Sequence, residues 1–155
     1  MKKTIVSFLM CVMIIFVMSG CGSDPALSQF KVDIDNFCTK VSKIDNSINN
    51  IDVSSEYATD ELLRCLDDLN TEFTAFAELD FPEEFDYLEE LADEAGSYMN
   101  EAVTNYHKTY ENDSYNESYA EYAAANYERA YKRIQIIISF LHGEEPEDVN
   151  VIDAE

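Results

Sequence analysis

The chain has 155 residues, of which 10 are Lys or Arg and 32 are Asp or Glu, so its formal net charge at pH 7 is −22. The hydrophobic fraction of 46% is ordinary for a folded protein, so the charge alone does not indicate disorder. This composition excludes unassisted nucleic-acid binding, which needs clustered Lys and Arg, and sparse Gly and Pro argue against a turn-rich all-β fold.

The chain begins with the pattern of an export signal. Lys2 and Lys3 precede an apolar run from Ile5 to Met18, and small residues follow. The run of about 14 residues is short for a membrane-spanning helix, which needs about 20. Cleavage is therefore favoured over an uncleaved anchor.

The segment 17–21, with the sequence VMSGC, resembles the lipobox of bacterial lipoproteins. The resemblance implies that a diacylglyceryl group is attached to the Cys21 thiol and that residues 1–20 are then removed. It also implies a location on the extracytoplasmic side of the cell membrane; ordinary secretion is the alternative. Removal of residues 1–20 takes away two lysines and no acid, which leaves a charge of −24. Anionic lipids repel such a domain, so the lipid on Cys21 must provide the attachment.

Two apolar stripes at helical spacing follow the signal. The first predicts a helix over residues 25–50, with Asp24 as cap and Pro25 in the first turn. The second predicts a helix over residues 54–79, capped by Ser54 or Ser55. The two stripes comprise Leu27, Phe30, Ile34, Phe37, Val41, Ile44, Ile48 and Ile51, and then Ala58, Leu62, Cys65, Leu69, Phe73 and Phe76.

Two further stripes predict helices over residues 82–111 and 115–142. Ser114 and Glu117 form a capping box for the last helix, and Gly143 is suited to the left-handed conformation after its end. The stripes comprise Phe85, Leu88, Ala92, Ala95, Met99, Ala102, Tyr106 and Tyr110, and then Tyr119, Ala123, Asn126, Ala130, Ile134, Ile137 and Leu141.

Four long helices with short connections predict an all-α fold, an antiparallel up-down-up-down four-helix bundle with heptad-like packing. The bundle is expected over residues 25–143, after a short lipid-anchored segment, 21–24, and before an acidic tail, 144–155, which is expected to fray. The alternative is a three-helix core in which the first helix is a stalk from the membrane.

Cys38 and Cys65 are the remaining thiols once Cys11 leaves with the signal and Cys21 carries the lipid. A hairpin that turns near Ile51 would place both cysteines at the same height. This predicts a disulfide, which would stabilise the fold by about 3.5 kcal/mol. The alternative is two small buried thiols.

The sequence predicts no catalytic residue, metal site or cofactor. The histidines, His107 and His142, are not in Glu-x-x-His pairs, and zinc-type cysteine spacing, a Gly-rich phosphate loop and a Gly-x-Ser-x-Gly elbow do not occur. A surface metal held by His107 and Glu111 is disfavoured because a lone pair is seldom a site. An enzyme is therefore not expected.

Tyrosines are concentrated late in the chain, and acids are dense from Asp80 to Glu94. Most of the tyrosines are expected to pack between the third and fourth helices, and the acids to form a solvated face. The functional interpretation is a recognition surface, because exposed tyrosine is enriched at interfaces. The partner-binding residues predicted from these two groups are Tyr115, Tyr122, Tyr131, Glu83, Glu84 and Glu90.

These observations favour a binding or scaffolding lipoprotein that engages a cationic protein, peptide or cell-wall component. A negative field would speed encounter with such partners. The alternative is a small-ligand carrier or an accessory subunit of an envelope transport system. A carrier would need a buried cavity, expected to be lined by Tyr98, Tyr106 and Tyr127.

Overall fold

The computed structural model describes residues 25–111 and 114–144. Within these ranges the chain forms four α-helices and a 3₁₀ turn, Asp86–Leu88, and contains no β-strand. The all-α four-helix prediction is confirmed. Residues 1–24, with the predicted signal and Cys21, and residues 145–155 lie outside the described ranges. The helices are α1 (Pro25–Asn49), α2 (Ala58–Ala77), α3 (Glu89–Thr109) and α4 (Glu117–Leu141).

Ring contacts across the helices define two ends of the bundle. Near the start of α1, Phe30 lies 4.9 Å, between ring centroids, from Phe81, which follows α2. Tyr87, just before α3, lies 5.8 Å from Phe140 near the end of α4. Consecutive helices are therefore antiparallel. We call this end the Pro25 end, and the opposite end, with the α1–α2 and α3–α4 connections, the far end.

The predicted apolar stripes form one core. On α1, Phe30, Ile34, Phe37 and Val41 are buried, so α1 belongs to the bundle and is not a stalk. Burying a side chain of this size contributes about 1.5–3 kcal/mol, which is sufficient to hold the helix against its neighbours. The fully buried side chains of the other helices include Leu69, Phe73, Ala92, Ala95, Met99, Ala123, Ala130 and Ile137.

The helix ends differ from the predictions where local turns compete with the helix. The Asp52 carboxylate accepts hydrogen bonds from the Ser54 backbone N–H and hydroxyl, and α2 begins only at Ala58. The Phe85 backbone N–H donates to the Pro82 carbonyl, so α3 begins after a 3₁₀ turn and not at residue 82. In each case a turn closed by its own hydrogen bonds replaces the first helical residues.

The cap of α4 is Asn116, not the predicted Ser114. Its Oδ1 accepts a hydrogen bond from the Tyr119 backbone N–H at 3.3 Å, and its own backbone N–H donates to the Thr109 carbonyl at 2.8 Å. This second bond ties the connection to the end of α3. At the other end of α4, Gly143 has a φ of 71°, as its predicted left-handed position requires.

The register between α1 and α2 is set by contacts in mid-helix. Phe37 packs on Phe73, with ring centroids 5.4 Å apart, and the Lys40 ammonium lies 2.9 Å from the Glu72 carboxylate. These pairs centre the hairpin near Glu56, about five residues later than the turn predicted from the sequence.

This register separates the two cysteines. Cys38 is level with Thr74 on α2, whereas Cys65 lies about nine residues from that height, or about 13 Å along the helix axis. A disulfide needs Cα atoms about 4.4–6.8 Å apart. The predicted height match is therefore wrong, and in the structure both residues are thiols, with Cys65 buried and Cys38 partly so.

Candidate functional site

The structure divides the predicted partner surface between the two ends of the bundle. Glu83, Glu84 and Glu90 are exposed at the Pro25 end, at or near the α2–α3 connection. Tyr115, in the α3–α4 connection, and Tyr122, in the second turn of α4, are exposed at the far end. The 21 residues of α3 separate the two groups by about 30 Å. The glutamates and the tyrosines therefore do not form one contact surface.

Tyr131 was predicted to be exposed, but the structure does not place it at the surface. It is half-buried on the side of α4 that faces α1, where its hydroxyl donates a 2.9 Å hydrogen bond to the Asp45 carboxylate. The Tyr127 hydroxyl lies 3.5 Å from the same carboxylate, and the two tyrosine rings are 4.7 Å apart. Burial raises the pKa of both hydroxyls, and the nearby Asp45 charge raises them further. Tyr131 is a structural residue of the α1–α4 seam.

Tyr119 shows the opposite difference, because it was predicted in the core and is 41% exposed. It lies beside the last turn of α3, which ends at Thr109 and does not cover it. Tyr122 is three residues later on α4, so the two rings lie on one stripe of the helix. Tyr115 precedes the helix and packs on Tyr110 of the same connection, with ring centroids 5.8 Å apart. Tyr119 was assigned to the core because it also lies four residues before Ala123, on the apolar stripe. We call Tyr115, Tyr119 and Tyr122 the tyrosine face.

Polar groups join the tyrosine face to the seam between α3 and α4. The Glu101 carboxylate accepts hydrogen bonds from the Tyr122 hydroxyl at 3.1 Å and from the Asn126 amide at 3.2 Å. Arg129 donates to the Asn126 carbonyl oxygen at 3.2 Å. These bonds hold Glu101 beside the exposed ring of Tyr122. Sequence reasoning missed Glu101, which falls on no acidic run.

A buried cation lies further along the same seam. Arg133 is 5% exposed, and its Nε donates a hydrogen bond to the Glu94 carboxylate. Its guanidinium carbon lies 5.4 Å from the centroid of the Tyr98 ring. This ion pair joins an acidic residue of α3 to the second half of α4. The burial was not predicted, because Arg133 lies next to the apolar stripe and not on it.

A surface groove of about 380 Å³ lies between α2 and α3. It is open to solvent and differs from the enclosed cavity that a carrier would need. The tyrosines expected to line such a cavity are not among its residues. The groove is lined by Thr74, Ala77, Glu78, Asp93, Gly96, Ser97, Asn100 and Glu101.

The predicted absence of a metal site stays a prediction, but one candidate ligand is engaged elsewhere. The His107 Nε2 lies 2.8 Å from the Asp67 carboxylate of α2, so this ring joins α2 to α3. The described residues contain no group of three or more His, Cys, Asp or Glu side chains placed to hold a metal ion. In the same ranges, no helix has the length and hydropathy to cross a membrane.

Comparison of the chain with protein-family models, with curated proteins and with solved structures finds no match.

Proposed function

We propose that the chain is a lipid-anchored, acidic, extracytoplasmic binding or scaffolding protein, not an enzyme, and that it presents the tyrosine face to a partner. The observation that carries this proposal is the position of that face. Tyr115 and Tyr122 are 64% and 50% exposed at the far end of the bundle. Exposed aromatic area at one end of a rigid helical scaffold is the feature that recognition needs.

The distribution of large exposed apolar and aromatic side chains also favours the far end as the binding surface. Of the large ones in the described ranges, five are at the far end, whereas Val32 and Tyr87 lie toward the Pro25 end. The five are Val53, Tyr57, Tyr115, Tyr119 and Tyr122.

The proposed anchor precedes the start of α1, whereas the tyrosine face lies at the opposite end of the bundle. Cys21 lies four positions before Pro25 in the sequence, at the start of α1. The 25 residues of α1 span about 37 Å from there to the far end. A chain tethered through Cys21 would therefore hold its tyrosine face away from the point of attachment, where a partner can reach it.

The anchoring is tested by mass spectrometry of the chain extracted from membranes. We expect an N-terminal Cys21 that carries the diacylglyceryl group. The Cys21→Ala variant should be uncleaved or released from the membrane. An unmodified N-terminus in the native protein would refute the anchor.

The binding surface is tested with a photo-crosslinking amino acid placed in the full chain in intact cells. We expect the same crosslinked product from positions 115 and 122 and none from position 87. Tyr87 is the matched control because it is 57% exposed at the Pro25 end. Equal products from all three positions, or none from 115 and 122, would contradict the proposal.

A further inference from the structure

The tyrosine face already holds one cation. The Lys108 ammonium, from the last turn of α3, lies 5.7 Å from the centroid of the exposed Tyr119 ring. This is within the distance of about 6 Å at which a cation is attracted by the negative face of an aromatic ring. The contact shows which chemistry the ring accepts. It is made within the chain, and both residues are exposed.

The charges around the face favour the same ligand chemistry. The Glu101 carboxylate is held against the Tyr122 hydroxyl, and Glu117 and Glu121 are exposed on the same two turns of α4. The other basic residue in the last turn of α3, His107, is paired with Asp67. A cation that approaches this end thus meets aromatic faces next to carboxylates.

We infer that the tyrosine face binds a basic protein segment through its Arg or Lys side chains, and that Lys108 occupies the position of one of these cations. This inference rests on the proposed function and names the chemistry of the partner. The occupant is cationic because charge complementarity and the Lys108–Tyr119 contact agree. An apolar partner would leave the carboxylates without counter-charges, and an anionic partner would be repelled by them.

Lys108 is then an internal competitor. A partner cation that binds the same face of the Tyr119 ring must displace the Lys108 ammonium. Replacing Lys108 by an uncharged residue should therefore strengthen the binding of a basic peptide. Simple exposure of tyrosines does not predict this direction of change.

The experiment measures the affinity of a fluorescent hexa-arginine peptide for the mature domain by anisotropy, at about 0.15 M salt. At this ionic strength, charges more than about 8 Å apart are largely screened. We expect Lys108→Gln to raise the affinity by about two- to five-fold, the range that corresponds to one exposed cation–π contact. Lys132→Gln, the same charge change at an exposed site of α4 toward the Pro25 end, measures the general effect of charge and should change the affinity less.

The aromatic part is tested by Tyr119→Leu, which keeps apolar area but removes the ring. We expect it to lower the affinity by about two- to five-fold, whereas Tyr87→Leu at the Pro25 end should leave it unchanged. Both positions are exposed, and circular dichroism checks that each variant folds. The inference is wrong if Lys108→Gln binds no more tightly than Lys132→Gln, if Tyr119→Leu binds like the wild type, or if hexa-glutamate binds more tightly than hexa-arginine.

The two proposals fail separately. Crosslinks from positions 115 and 122 in cells, together with a hexa-arginine affinity that does not depend on Tyr119 or Lys108, would overturn the inference and leave the proposed function standing. The peptide result without the crosslinks would support the cation site and remove the proposed function.

Discussion

The Asp45 carboxylate on α1 accepts a 2.9 Å hydrogen bond from the Tyr131 hydroxyl on α4. It joins the first and last helices, which are far apart in the sequence. Tyr131 also packs on Phe73 of α2, with ring centroids 5.3 Å apart. The seam between α1 and α4 is therefore closed by tyrosine side chains and one half-buried acid.

Replacing Tyr131 by Phe should destabilise the protein by about 1–2 kcal/mol. The ring and its packing remain, but the Asp45 carboxylate loses the shorter of its two tyrosine hydrogen bonds. Chemical denaturation followed by circular dichroism measures the change. Tyr122→Phe is the control, because its hydroxyl bonds to Glu101 at an exposed site, and it should cost less than about 0.5 kcal/mol. Equal losses for the two variants would contradict this prediction.

The Asp45 carboxyl should make the free energy of unfolding depend on pH, with a defined sign. Burial raises its pKa above the ordinary value of 3.8, and the hydrogen bonds from Tyr131 and Tyr127 offset part of the rise. The folded protein therefore binds this proton more tightly than the unfolded chain. The favourable contribution is complete below pH 3.8 and is lost as the pH rises through the folded pKa. Asp45→Asn should gain stability relative to the wild type over this pH interval.

Asp52→Asn provides the control with the opposite sign. Hydrogen bonds from the Ser54 hydroxyl and backbone N–H lower the pKa of the exposed Asp52 carboxyl. Its contribution is present above pH 3.8 and is lost as the pH falls through the folded pKa. The measurement is the unfolding free energy of each variant from pH 3 to pH 7. A difference between Asp45→Asn and the wild type that does not vary with pH would contradict the assignment.

The close approach of α2 and α3 depends on Gly96. A Cβ atom at this position would lie 3.2 Å from the Ala77 Cβ and 3.5 Å from the Phe73 carbonyl oxygen. Gly96→Val should therefore destabilise the protein by about 1–3 kcal/mol, because the two helices must move apart. Ser97→Val, the same side chain at the exposed neighbour, should stay within about 0.5 kcal/mol of the wild type. Thermal unfolding of both variants measures these changes. Similar losses of stability for the two variants would refute the close contact.

Arg133 should contribute through its packed volume as well as its charge. Arg133→Ala leaves a cavity and should cost about 2–4 kcal/mol, measured by urea unfolding. Arg133→Met fills much of the volume, and Glu94 is partly exposed and can be solvated, so Met should recover at least half of the loss. Lys132→Ala, at the exposed neighbour, should be close to neutral. A loss for Met as large as that for Ala would assign the effect to the charge pair alone.

The mature domain should keep two thiols per chain under air. Cys38 and Cys65 are too far apart along the helices for a bridge within one chain. Burial also raises the pKa of the Cys65 thiol, which lowers its reactivity. Thiol titration after unfolding should give two groups per domain, and a reductant should not change the stability. Fewer than two thiols in a monomeric chain would contradict the observed register.

The sequence by itself determined the fold class and the faces of the helices. Apolar residues three and four positions apart predict a helix and its buried side from neighbours on the same helix, so Phe30, Leu69 and Ile137 were assigned to the core correctly. Gly143 was identified in the same way, because its conformation follows from the end of one helix.

Only the tertiary structure decided the register between helices and which side chains a neighbouring helix buries. The hairpin register separates Cys38 from Cys65 and follows from how Phe37 packs on another helix. Tyr119 and Tyr131 differ in exposure because α3 ends beside one ring and α1 passes over the other. Such differences depend on where a neighbouring helix begins and ends, and the periodicity of a single helix carries no information about that.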